Sequence, residues 1–112
     1  IYVNYCGLPG DKYHAVAEKY LPNGSCGVVS FGVKGGREAA AAFMGHLKIA
    51  AIETHVADAR TCCLHPASST HRQMNDEQLI AAGVQPDLVR MSCGLEDKND
   101  LIHDIAQALD QI

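Results

Sequence analysis

The chain has 112 residues, 47% hydrophobic and 20% charged, which bounds it to one globular domain around one core and excludes a disordered or fibrous segment. A formal charge of −4, with no cluster of Lys and Arg, excludes nucleic acid and anionic membrane as partners, because both are bound by basic side chains that replace counterions. The sequence holds no apolar run of about 18 residues and no basic-then-apolar leader, so no membrane partner and a cytoplasmic location are expected.

The first element is a short strand-like run, Tyr2 to Tyr5. Tyr13 to Leu21 reads as a helix that ends at the turn Pro22-Asn23-Gly24. Cys26 to Phe31 follows as a β-branched strand. Gly35 and Gly36 precede the strongest helical stretch, Arg37 to Leu47, in which Ala39, Phe43 and Leu47 share one face and Ala40 and Met44 widen it. Ile49 to Ile52 and Thr61 to Leu64 are short apolar runs of strand type. Asn75, with Gln78 three residues on, makes a capping pair for a helix that stops at Gly83. Leu88 to Ser92 is the next strand, and the last helix starts near Asp97 with Leu101, Ile105, Ala108, Leu109 and Ile112 in one stripe. Helices that are apolar on one side need a sheet to lie on, so the expected fold is a small two-layer α/β domain. The chain opens on Ile1 rather than on methionine, inside a strand-like run, and a piece of a longer polypeptide is expected.

Five cysteines, Cys6, Cys26, Cys62, Cys63 and Cys93, are an odd count on apolar stretches, so reduced and mostly buried thiols are expected, not a disulfide framework. Cys62, Cys63 and His65 are of the residue types that bind metal ions. Adjacent strand residues face opposite ways, so only Cys63 and His65 could share an ion, and no second ligand pair of zinc spacing exists; no metal is expected. Gly35-Gly36 lacks a full phosphate-binding pattern, and a helix start is its expected role.

Arg90 is the most informative side chain. Strand alternation puts Leu88, Arg90 and Ser92 on one face and Val89, Met91 and Cys93 on the other. A guanidinium on a rigid strand can grip a carboxylate with two parallel hydrogen bonds, but spacing alone favours an ion pair with a local acid, Asp87 or Glu96. The loop His65-Pro66-Ala67-Ser68-Ser69-Thr70-His71 concentrates hydroxyls and imidazoles. It has no nucleophile elbow and no acid to orient His71, so Ser-His catalysis is not expected and no catalytic residue is assigned.

Gly7-Leu8-Pro9, Val29-Ser30-Phe31, Gly35-Gly36, the loop His65 to His71, and Leu88-Val89-Arg90-Met91-Ser92-Cys93-Gly94-Leu95-Glu96-Asp97 occur in the order of one known family. In them the chain resembles the Cys/Met-metabolism family of pyridoxal-phosphate enzymes of fold type I, along essentially its whole length. His55-Val56-Ala57-Asp58-Ala59-Arg60 resembles the Asn-Val-Gly-Asp-Ala-Lys segment of the O-acetylhomoserine sulfhydrylases more than the Ser-Leu-Gly-Gly of cystathionine synthases and lyases.

The resemblance implies a C-terminal small domain spanning residues 1–112, with a mostly antiparallel sheet and helices covering one side. It implies that Arg90 binds the substrate α-carboxylate, that the position of His55 makes a neighbouring contact to it, and that an upstream large domain and further copies of the enzyme are partners. It also implies pyridoxal phosphate as the cofactor of the parent enzyme. The family's cofactor lysine follows a Ser-x-Thr pattern, and none of Lys12, Lys19, Lys34, Lys48 or Lys98 is preceded by threonine, so no cofactor-binding residue is expected in this chain. The parent activity implied is γ-replacement on O-acetylhomoserine by sulfide or a thiol, giving homocysteine or methionine. The alternatives are a cystathionine γ-synthase or lyase, a methionine γ-lyase, or a free-standing carboxylate-binding or assembly module. The chain departs from the family where His55 replaces Asn or Ser, Ala57 replaces glycine, Cys6 replaces proline, and Gly10-Asp11-Lys12-Tyr13-His14 replaces a Ser-His-Pro pattern.

Overall fold

The computed structural model describes residues 2–112. Strands β1 (Tyr2–Asn4), β2 (Val28–Gly32), β3 (Ala51–Ile52), β4 (Cys62–Leu64) and β5 (Leu88–Ser92) alternate with helices α1 (His14–Tyr20), α2 (Gly36–His46), α3 (Asp76–Ala81) and α4 (Lys98–Leu109). They form one sheet in the order β1-β2-β5-β4-β3. Three pairings are antiparallel and only β3 with β4 is parallel, as the expected mixed α/β architecture requires.

The two faces of the sheet are chemically different because side chains alternate along each strand. Val29, Phe31, Cys63, Val89 and Met91 meet Ala40, Phe43 and Met44 of α2 and Ile105 and Ala108 of α4 in the core. Phe43 is fully buried, which contributes about 1.5–3 kcal/mol. Its ring meets Phe31 edge-on, with centroids 5.6 Å apart. The opposite face carries a row that the pairing sets directly: Asn4, Ser30, Arg90 and Leu64 sit side by side across four strands.

Local chemistry ends the helices where the sequence says it should. Asn75 Oδ1 accepts from the Gln78 amide at 2.9 Å and Gln78 Oε1 accepts from the Asn75 amide at 3.0 Å, a complete capping box. Gly83 follows α3 at φ +81°, a conformation that costs glycine nothing. Asp97 caps α4 by accepting from the Asn99 amide at 2.8 Å.

Two expectations need correction. The strand expected from Ile49 begins only at Ala51, because the amides of Lys48, Ile49 and Ala50 are taken by the Asp104 carboxylate of α4 at 2.8, 2.9 and 3.0 Å instead of by a neighbouring strand. The cysteines are all free, but only Cys62 and Cys63 are buried; Cys26 and Cys93 are exposed because they lie just outside the strand ends.

Candidate functional site

Arg90 opens onto a groove of about 610 Å³ whose apolar walls are Val28, Leu64 and Leu88, with Ser30, Thr70 and His71 adding hydroxyls and an imidazole. Its Nη2 donates to the Thr54 carbonyl at 2.8 Å and reaches the His55 carbonyl at 3.4 Å. Its Nε is buried with no hydrogen-bond partner among the described residues. A buried charged donor without a partner is costly, so an anion that satisfied this side chain would be held favourably.

The ion pair expected from spacing does not form. Glu96 is engaged by Thr61, whose amide donates to Oε1 at 2.7 Å and whose hydroxyl donates to Oε2 at 2.8 Å. Those bonds, led by the Thr61 amide, hold the Glu96 carboxyl below its ordinary range against the opposing effect of burial. Asp87 accepts instead from the Tyr2 hydroxyl at 3.5 Å. Burial, and then the Asp87 charge, push the Tyr2 phenol up to about 12. Gly32 pairs with Tyr2 and Leu88, and a Cβ there would overlap the Tyr2 ring and the Asp87 carboxylate. Neither acid pairs with Arg90, and the guanidinium keeps its charge for the groove.

His55 is placed beside Arg90 by its backbone and not by its ring. Its imidazole is exposed, with Nδ1 3.4 Å from Asp58 Oδ2. Thr54, which sequence reasoning missed, lines the groove and supplies the shorter carbonyl contact. A backbone acceptor leaves no residue-type signature, so nothing in the spacing could have revealed it. The loop is tied down where the Ala57 amide donates to Ser92 Oγ at 3.0 Å, and Ala57 itself sits at φ +59°. That left-handed value explains why glycine suits this position in the family.

The His65 to His71 loop builds the other wall. His65 is buried, with Nε2 2.8 Å from the Pro86 carbonyl and Nδ1 2.9 Å from Ser68 Oγ. A carbonyl can only accept, so Nε2 donates to Pro86, and with Nδ1 beside the Ser68 hydroxyl both ring nitrogens have partners; His65 is a satisfied structural histidine. His65 therefore does not pair with Cys63, which lies in the core on the helix side. Arg37 of α2 ties this loop to α3. It donates to the Ala67 carbonyl at 2.6 Å and the Met74 carbonyl at 3.2 Å, and pairs with Asp76 Oδ1 at 2.6 Å.

What the arrangement can do is bind a small anion of carboxylate type on an apolar floor beside one fixed guanidinium. Lys12, Lys19, Lys34, Lys48 and Lys98 are all exposed, and none lines the Arg90 groove. Among the described residues, no helix is long and apolar enough to cross a membrane.

Residues 1–110 match the family described as Cys/Met metabolism PLP-dependent enzyme. The chain is 44% identical over 108 residues to O-acetyl-L-homoserine sulfhydrylase 1 of Thermus thermophilus, covering 96% of this chain and 26% of that protein. It is 44% identical over 109 residues to the homocysteine synthase of Schizosaccharomyces pombe, covering 97% of this chain and 25% of that protein. Its fold superposes with TM-score 0.84 and 35% identity on an O-acetylhomoserine (thiol)-lyase from Campylobacter jejuni that carries N'-pyridoxyl-lysine-5'-monophosphate, covering 96% of this chain and 26% of that one. The chain thus spans about a quarter of the length of the curated relatives it matches. The motifs, the sheet and the match along nearly every residue place it in one group: the chain belongs to the Cys/Met-metabolism family of pyridoxal-phosphate-dependent enzymes.

Proposed function

We propose that this chain is the C-terminal small domain of a transferase that makes homocysteine or methionine from O-acetylhomoserine and sulfide or a thiol, and that its part is to bind the substrate carboxylate. The observation that carries the reading is Arg90: a guanidinium with a buried unpartnered Nε and no acidic partner, facing an apolar groove. Two oxygens of an amino-acid carboxylate satisfy such a fork, and fixing the substrate supplies much of the barrier reduction when the geometry is held. The relatives named for O-acetylhomoserine and homocysteine chemistry support the substrate class.

Pyridoxal phosphate is the cofactor of the family, no lysine of this chain lines the groove, and the chain spans about a quarter of its relatives' length, which together support an anchoring lysine in an upstream large domain of the same polypeptide. The chain by itself is then inactive. The apolar groove of about 480 Å³ between β2 and α4, lined by Phe31, Leu109 and Ile112, supports packing against that domain or further copies of the enzyme.

The test is to assay the full-length enzyme with O-acetylhomoserine plus sulfide, with O-succinylhomoserine, and with cystathionine. Sulfide-dependent homocysteine formation from the acetyl ester is expected. Turnover of cystathionine alone would assign the chain to a lyase instead. For the isolated chain, borohydride reduction with pyridoxal phosphate and peptide mapping should label no single lysine; one stoichiometric label would overturn the division of labour.

A further inference from the structure

We propose that His55, Asp58 and Cys62 form a binding site for a divalent metal ion of the zinc class, with a fourth position open. One imidazole nitrogen, one carboxylate oxygen and one thiol sulfur from these residues all lie within 4.8 Å of one another. Zinc bonds nitrogen, oxygen and sulfur at about 2.0–2.3 Å, which puts tetrahedral ligand atoms about 3.4–3.7 Å apart. His55 Nδ1 and Asp58 Oδ2 already stand at 3.4 Å, so closure requires the exposed loop to move by at most about an ångström.

The surroundings are arranged for this use. Asp58 Oδ1 accepts the Arg60 amide at 3.0 Å, which holds the carboxylate while Oδ2 is the oxygen turned to His55. Cys62 lies opposite Ser92 in the sheet, and Ser92 Oγ takes the Ala57 amide, so the loop bearing His55 and Asp58 is tied beside the thiol. Cys63 points into the core and takes no part. An exposed His-Asp pair is by itself worth about 0–1 kcal/mol, and the buried Cys62 thiol beside it donates only a weak bond to the Arg60 carbonyl at 3.5 Å, which metal binding would replace. The site differs from the pairing of Cys63 with His65 considered from the sequence, and its signal there is the spacing His-x-x-Asp-x-x-x-Cys. When the metal binds, the Cys62 proton leaves to solvent as the sulfur–metal bond forms. The same loop gives the Thr54 and His55 carbonyls to Arg90, so the metal site and the groove share one segment.

The experiment titrates the chelator-stripped full-length protein with Co²⁺, read by visible ligand-field bands and a sulfur-to-metal charge-transfer band, and with Zn²⁺ against a competing chelator. One equivalent is expected. His55→Asn and Cys62→Ser should each weaken binding at least as much as the roughly 10–100-fold that loss of an outer-shell partner costs, and Cys62→Ser should abolish the sulfur band. Cys93→Ser should change neither. If Cys62→Ser fails to fold, His55→Asn decides the question, because that imidazole is exposed and its loss leaves the core intact. No binding above the chelator, or binding undiminished in His55→Asn, overturns the proposal.

Discussion

Arg90 Nη2 donates to the Thr54 carbonyl at 2.8 Å, so the guanidinium is positioned by an uncharged acceptor and its charge is left for a ligand. In the full-length enzyme, Arg90→Ala is expected to cost about 2–5 kcal/mol in kcat/KM, because the substrate carboxylate loses its partner inside a desolvated groove. Arg90→Lys should remain impaired, since an ammonium cannot offer the two-pronged donor. Arg60→Ala is the contrast: that side chain is 56% exposed and only 3.6 Å from Asp58, so most activity should remain. Steady-state kinetics with thermal melts decide it. Equal losses in the Arg90 and Arg60 variants, or an Arg90→Ala protein that simply unfolds, would make Arg90 a structural residue.

Asp104 is a buried carboxylate on α4 that accepts three successive amides of the segment after α2 and the Gln107 side-chain amide at 3.1 Å. Burial pushes its carboxyl up, but the amides of Ala50, Lys48 and Ile49 and the Gln107 side chain together outweigh that and leave it below the ordinary value. A folded-state value below the unfolded one means the contribution is fully present above the unfolded pKa of about 3.9 and is lost as pH falls through the folded value. Asp104→Ala should cost about 1–3 kcal/mol at neutral pH, because it orphans amide donors of the segment after α2. The deficit relative to the parent chain should shrink in acid. Urea unfolding at pH values on both sides of about 3.9 measures this, and a deficit that does not change with pH would count against it.

Gly94 follows β5 where the chain passes against the segment Ala59 to Thr61. A Cβ at this position would overlap the Ala59 carbonyl oxygen and the Arg60–Thr61 peptide, all backbone atoms that cannot rotate away. Its amide also donates to Thr61 Oγ1 at 2.9 Å, the hydroxyl that holds Glu96. Gly94→Ala should therefore destabilise by about 3 kcal/mol. Gly45→Ala is the control, since nothing lies within 4 Å of a Cβ built there. Similar melting temperatures for the two variants would contradict the close-approach argument.

Ala57 holds φ +59°, which costs a residue with a Cβ about 1–2 kcal/mol, while glycine loses about 0.5–1 kcal/mol more backbone entropy on folding. Ala57→Gly is thus expected to change stability by about 0 to 1.5 kcal/mol in the favourable direction. Ala57→Val, β-branched at a left-handed position, should destabilise clearly. Chemical denaturation of the pair checks both signs, and a stabilising valine would refute the strain.

Much of this protein is written in local patterns. The capping pair Asn75 and Gln78, the cap at Asp97, the left-handed stop at Gly83 and the alternation that sets Arg90 apart from Val89 and Met91 each depend on residues a few positions apart, so the sequence alone determined them, and the motif order determined the family. The tertiary structure decided the rest, because it turns on partners far apart in the chain. Asp104 lies on the apolar side of α4, yet 54 residues separate it from the Ala50 amide that it binds. Whether Arg90 would meet Asp87, Glu96 or a ligand depended on strand register, which gave Asp87 to Tyr2 and Glu96 to Thr61. Thr54 acts through a carbonyl, a group every residue has. Such contacts arise from chain packing across the sheet and carry no short-range signature, which is why only the folded chain shows them.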